Sequence, residues 1–147
     1  MTAIQDLYPD DFTHCFGCGS RNSSGHQLKS YLDGDAVVAR FTPAPHHMSV
    51  PGFVYGGLLA SLVDCHAMAA AASSEITGNS APRFVTAALH VEYLKPTPLG
   101  PELEIRGHVT ERSAKKAVVE LTVSVAGIVT VRANAVAVRI PKSMESQ

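Results

Sequence analysis

Beyond Pro82 the sequence alternates apolar and polar residues with a period of two, stretch after stretch. Over 84–94, Val85, Ala87, Leu89, Val91 and Tyr93 form one set, and Thr86, His90 and Glu92 the other. Over 102–110, Leu103, Ile105 and Val109 stand against Glu102, Glu104, Arg106, His108 and Thr110. Over 117–125, Ala117, Val119, Leu121, Val123 and Val125 stand against Glu120, Thr122 and Ser124. A last strand, about 128–140, follows Ala126-Gly127, and a change of apolar face near Val136 predicts a bulge in it. This periodicity marks half-buried strands, and the short polar links at 95–101, 111–116 and 126–127 suit antiparallel neighbours. A sheet with one apolar face needs a cover. The chain offers a single candidate, an apolar helix opened by Gly56-Gly57, running to about Ser74 and stopped by Gly78-Asn79-Ser80 and Pro82. Two short strands, roughly 27–32 and 36–42, flank Asp33-Gly34 ahead of it. The class is therefore α+β: an antiparallel sheet of five to six strands wrapped around one long central helix.

At 147 residues, with 46% apolar and 17% charged, the chain suits one domain over 1–147 with a well-buried core. Residues 1–26 are rich in turn formers and form an irregular N-terminal segment. Twelve basic against thirteen acidic residues leave a net charge of −1, which excludes electrostatic steering onto nucleic acid or anionic lipid. The apolar window Phe53–Ala72 is long enough to suggest a membrane span, but Ser61, Asp64 and His66 sit near its middle, where lipid would penalise them. It reads as a buried helix. The start, Met1-Thr2-Ala3-Ile4-Gln5-Asp6, lacks the basic and apolar run of a signal peptide, and a cytoplasmic location is expected.

At 100° per residue, Leu59, Leu62, Val63, His66 and Ala70 share one helix side, the stripe a sheet should cover. Gly57, Ala60, Ser61, Asp64, Met68 and Ala71 share the other. Small residues let a substrate or a second helix come close, and a partly desolvated carboxylate there becomes a candidate base or nucleophile. An exposed acid on a solvated face is the competing reading. Gly56-Gly57 places amides without intrahelical partners at the positive end of the helix dipole, a ready oxyanion hole. A merely permissive turn is the alternative. Gly56 and Asp64 lie eight residues apart, ~12 Å along one helix, so one reacting atom cannot meet both. Two antiparallel helices about a two-fold axis would bring them together.

The residues resemble a family. Pro51-Gly52-Phe53-Val54-Tyr55-Gly56-Gly57 with Asp64 is similar to the P-G-x-V-H-G-G…D/E signature of hotdog acyl-CoA thioesterases of the PaaI-like type. Thr86-Ala87-Ala88-Leu89, Tyr93 and Lys95-Pro96 resemble their T-x-x-L-x-x-x-Y-x-[KR]-P strand, and Cys15-Phe16-Gly17-Cys18-Gly19 with Asn22 and Gly25 resembles the C-F-x-C-G opening of many relatives. The resemblance implies the hotdog fold and hydrolysis of an acyl-CoA thioester without a cofactor. It also implies a homodimer with shared active sites, often paired again into a tetramer. By it, Asp64 is the catalytic acid, Gly56 supplies the amide that polarises the carbonyl, and Thr86 positions the water. Tyr55, Gly57, Ser61, Met68 and His47 become candidate substrate-binding residues. One position departs: Tyr55 stands where the family usually has His.

Other signals have plainer readings. Cys15-x-x-Cys18 between His14 and His26 is half of a zinc pattern, but no second Cys pair exists and Cys65 falls mid-helix, so no metal is expected. His46-His47 lies in the loop before the helix, where substrate could pass or where a surface pair would be inert. His66 lies about 160° from Asp64 and reads as a satisfied core histidine. Arg112, Lys115 and Lys116 are turn charges that coenzyme A phosphates would also favour. Two alternatives to a thioesterase stand: a non-catalytic acyl-binding module, and a hydratase or dehydratase of the same fold. For the second, His46 and His47 come too near Pro51 and Asp64 too late.

Overall fold

The computed structural model describes residues 1–145. Strands β1 (Ser30–Asp33) and β2 (Ala36–Phe41) precede the helix α1 (Gly56–Ser73). Strands β3 (Phe84–Tyr93), β4 (Leu103–Arg112), β5 (Lys116–Val125) and β6 (Ile128–Arg139) follow it. All six strands pair antiparallel in one sheet, in the order β1-β2-β4-β5-β6-β3. This is the expected sheet around one long helix, the hotdog arrangement. The first hairpin turns one residue later than expected: Asp33 pairs with Ala36, and Gly34, at φ +62°, takes the left-handed corner.

Helix α1 packs against every strand of the sheet. The expected stripe, Leu59, Leu62, Val63, His66 and Ala70, is buried against Leu103, Ile105, Val119, Val123 and Val131. Burial goes further round than the periodicity implied, since every residue from Cys65 to Ala72 is buried. The second cover is the N-terminal segment. Its residues form two short 3₁₀ turns, Ile4–Leu7 and Asp10–Phe12, and Ile4, Tyr8, Cys18 and Leu28 join the same core. Met68 and Ala71 were expected on the open strip and are core residues instead, Met68 only 2% exposed. An irregular segment leaves no periodic trace of the helix face it covers.

Strand β3 is the edge strand beyond β6, and its alternation is broken. Thr86 pairs with Ala137 and Ala88 with Val136, so Ala87 is an extra residue in a β-bulge. A bulge shifts side-chain parity by one. Thr86 therefore does not oppose the apolar set, as expected, but shares the helix-facing side with Leu89, Val91 and Tyr93, opposite buried Ala137, Ala135, Ala133 and Val131. The bulge predicted near Val136 is displaced as well. In β6 the unpaired residue is Thr130, between Val129 and Val131, and its buried hydroxyl accepts from Thr97 Oγ1 at 2.8 Å.

A buried polar chain locks the N-terminal segment to the helix and the sheet. Gln5 Nε2 donates to Ser30 Oγ at 2.9 Å, and Ser30 N–H donates back to Gln5 Oε1 at 2.8 Å. His66 Nε2 faces the Val37 carbonyl at 2.7 Å, which can only accept, so Nε2 carries the proton and Nδ1 accepts from Ser30 Oγ at 2.8 Å. His66 is the satisfied core histidine expected.

Burial pushes the His66 imidazole down to about 4. An unfolded histidine titrates near 6.5, so the neutral core form stabilises the fold fully above that pH. The contribution is lost as pH falls through the folded value, on the order of 3 kcal/mol in all. Urea unfolding of the native chain between pH 7 and 4 should show this loss beyond that of the carboxylates. His66→Gln should be less stable at pH 7 and should lack that increment of slope. Equal slopes would contradict a neutral buried imidazole.

Candidate active site

The start of α1 is assembled from three segments. Tyr55 N–H donates to the His47 carbonyl and Val54 N–H to the Thr97 carbonyl, each at 2.9 Å, which fixes the chain entering the helix. Tyr55 is the N-cap residue, but its side chain does not cap. Among the described residues the amides of Gly56 and Gly57 have no recorded acceptor, the condition required of an oxyanion hole.

Two phenols lie against the glycine pair. The Tyr93 hydroxyl donates to the Gly56 carbonyl at 2.7 Å, and its ring lies 3.3 Å from where a Cβ on Gly56 would stand. A Cβ on Gly57 would fall 2.4 Å from the Tyr55 ring. Glycine at both positions lets the two rings lie close against the helix start, although a Cβ on Gly57 would meet only the exposed, movable Tyr55 ring. Burial, then the neighbouring Tyr55, raises the Tyr93 phenol above its usual range, so it remains a donor at neutral pH. Beside this terminus a cleft of ≈490 Å³ opens between Val50, Phe53, Leu59, Tyr93 and Lys95. Its lining is mostly apolar, with Ser49, Thr97 and one cation, Lys95.

Asp64 sits two turns along α1, half-buried, and the Thr86 hydroxyl donates to its Oδ1 at 2.5 Å. The bulge at Ala87 makes this contact possible by keeping Thr86 on the helix side. Ala60 and Ser61 lie between the glycines and Asp64, both half-buried, and Ser61 Oγ turns back to the Leu58 carbonyl at 2.7 Å. The open strip is therefore Gly56, Gly57, Ala60, Ser61 and Asp64.

Other expected binding residues fall elsewhere. Met68 is in the core. The His47 ring packs with Phe41, His26 and His46, and its Nδ1 accepts from Ala44 N–H at 2.9 Å, away from the cleft lining. Arg112 is engaged at the far end of the helix, donating to Glu75 Oε2 at 2.8 Å and to the Ala71 carbonyl at 2.9 Å. There it complements the negative end of the helix dipole.

The family model described as Thioesterase superfamily matches residues 51–133, more than half the chain. The chain belongs to the thioesterase superfamily. Acyl-coenzyme A thioesterase THEM4 of Rattus norvegicus is 30% identical over 87 residues, which is 59% of this chain but only 35% of the rat protein. The crystal structure of a thioesterase superfamily protein from Shewanella loihica PV-4 is 44% identical, with a TM-score of 0.70 over 90% of this chain and 98% of that one. The E. coli PaaI protein, from the phenylacetic acid degradation operon, shares the fold at a TM-score of 0.67 and 17% identity, covering 79% of this chain and 81% of its own. The sequence resemblance and the fold thus agree on the family.

Around this candidate site, sequence reasoning passed over Tyr93, Phe53 and Lys95. Tyr93 and Lys95 were already visible as the Y and K of the strand motif; what was missing was the partner of Tyr93, the Gly56 carbonyl. Tyr93→Phe should cost about 0.5–1.5 kcal/mol, the worth of one hydrogen bond. Urea unfolding at pH 7 measures it, and an unchanged midpoint would mean that the bond to Gly56 does not hold the helix start.

Proposed function

We propose that this thioesterase-superfamily chain hydrolyses an acyl-CoA thioester, in an active site shared between two copies. The observation that carries the reading is Asp64, held at one oxygen by Thr86 and leaving the other free on a half-open strip of small residues. The thioester carbonyl would rest on the Gly56 and Gly57 amides of one copy. Asp64 of the second copy would take a proton from water as its oxygen adds to the carbonyl carbon, or attack that carbon itself. Collapse then breaks the carbon–sulfur bond: in the first route the proton held by Asp64 passes to the departing thiolate and the free acid leaves, and in the second water hydrolyses the mixed anhydride on Asp64, which restores the carboxylate and supplies the proton for the coenzyme A thiol. Thr86 acts as a positioning residue by orienting the carboxylate. The separation of ~12 Å between Gly56 and Asp64 along one helix supports the shared arrangement. So do the edge position of β3 and its exposed Leu89 and Tyr93, which leave the sheet open to a second copy. Lys95, at the cleft edge, is the cation best placed for a coenzyme A phosphate.

Turnover of short, long and aryl acyl-CoAs, followed with a free-thiol reagent, tests the reading directly. Asp64→Asn should lower turnover by about 10²–10⁴ with the fold intact, and near-normal turnover would remove Asp64 from the chemistry. Thr86→Val should lower kcat roughly tenfold, with KM and melting temperature held, because it removes a hydrogen bond to a charged group. An unchanged kcat would leave Thr86 structural.

Complementation tests the sharing. Gly56→Pro deletes the amide at a helix position that accepts proline, and circular dichroism checks that it folds past Tyr93. Neither Gly56→Pro nor Asp64→Asn should work alone. Co-expression makes half the dimers mixed, each with one intact site, so about a quarter of the native activity should return. No recovery, with mixed dimers shown to form, would place each site within one chain.

A further inference from the structure

The fold brings together three thiols that the sequence keeps far apart. Cys15, Cys18 and Cys65 place their sulfurs within 4.8 Å of one another, and Cys15 Sγ lies 3.7 Å from Cys65 Sγ. Two thiolates on a tetrahedral zinc at ~2.3 Å each stand ~3.8 Å apart. Cysteine 65, apparently isolated in mid-helix, is thus the third member of a convergent set. Cys18 and Cys65 are buried and Cys15 is half-buried.

Glycines clear the space. A Cβ on Gly17 would stand 2.3 Å from Cys65 Sγ, so only glycine lets the Cys-x-x-Cys turn approach α1. A Cβ on Gly19 would strike the Cys15 backbone at 2.4 Å, and one on Gly25 the Phe16 carbonyl at 2.2 Å. The turn closes on itself through Gly19 N–H to the Cys15 carbonyl at 2.7 Å and His26 N–H to the Phe16 carbonyl at 2.9 Å. Among the described residues no His, Asp or Glu joins the group. Cys15 borders a cleft of ≈290 Å³ shared with Arg83 and His14, which gives an entry path and room for an exogenous fourth ligand.

We propose that Cys15, Cys18 and Cys65 bind one zinc ion through three thiolates, with the fourth position open to the cleft beside Cys15. The ion would tie the N-terminal segment to α1 at the residue next to Asp64. Three thiolates and Zn²⁺ leave a charge of −1, and the same cleft is lined by both the Arg83 guanidinium and the Asp11 carboxylate. Soft sulfur donors favour zinc over magnesium or calcium.

The full chain, reduced and freed of metal, should take up one zinc per chain by native mass spectrometry. Its melting temperature should rise by roughly 5–10 °C at a hundredfold excess over Kd. Cobalt in place of zinc should show a thiolate-to-metal charge-transfer band with tetrahedral d–d bands. Cys15→Ser, at the half-buried position, should fold and lose on the order of 100-fold or more in affinity, together with part of the charge-transfer intensity. Cys65→Ser should do the same where it folds, and His46→Ala should change nothing. The proposal fails if no zinc binds, if cobalt shows no sulfur charge transfer, if Cys15→Ser binds as well as the native chain, if His46→Ala abolishes uptake, or if the thiols oxidise to an internal disulfide that prevents loading.

Discussion

From Cys65 to Ala72 the central helix is buried around its whole circumference, and a sheet alone covers only one side of such a helix. Everything else in the structure answers that constraint. The inward residues of β4, β5 and β6 cover one flank with Leu103, Ile105, Val119, Val123 and Val131. The N-terminal segment adds Ile4, Tyr8, Cys18 and Leu28 to the same core, although its residues form no strand and only two short 3₁₀ turns. Arg112 closes the C-terminal end through the Ala71 carbonyl and Glu75. The Gln5–Ser30–His66–Val37 chain makes the two covers one unit, because an unpaired imidazole at that depth would cost about 1–3 kcal/mol.

The same constraint leaves the front half of the helix for chemistry. Cover ends before Asp64 on one side, and Gly57, Ala60, Ser61 and Asp64 remain at least partly accessible. Beside this window runs β3, a sheet edge whose inner side carries Thr86, Leu89, Val91 and Tyr93. Thr86 and Tyr93 reach the two ends of the window, one at Asp64 and one at Gly56. A single strand thus supports both the carboxylate and the helix terminus. The bulge at Ala87 lets both face the helix, since without it Thr86 and Tyr93 would lie on opposite sides of the strand.

The architecture was largely legible in the sequence, because alternation and helical spacing report burial by one smooth surface. Strand β5, strand β4 up to Val109, where a bulge at Thr110 interrupts it, and the stripe Leu59-Leu62-Val63-His66-Ala70 follow it. What escaped was every feature built by an irregular partner. Met68 and Ala71 were misplaced because the segment hiding them has no period, and Thr86 because a bulge changes parity without changing composition. In the candidate site, Asp64, Gly56 and Thr86 were singled out only through a family motif they resemble. Tyr93 was not, because its role rests on a contact between a strand and a carbonyl 37 residues away. Cys65 escaped for the same reason: spacing along the chain says nothing about a turn 50 residues earlier.

Three consecutive residues carry the logic of the helix. Each step turns the side chain by about 100°, so Asp64, Cys65 and His66 meet three surroundings within one turn. Asp64 faces the open strip and takes the Thr86 hydroxyl. Cys65 faces the glycine-cleared turn of the N-terminal segment, with Gly17 directly against its sulfur. His66 faces the sheet, neutral, with both ring nitrogens bonded. A rotation of the helix that buried Asp64 would expose the imidazole and separate the thiols, so the core histidine and the cysteine cluster both fix the direction in which the carboxylate points. The orientation of the acid is therefore a property of the whole core, and Thr86 adds only the last adjustment.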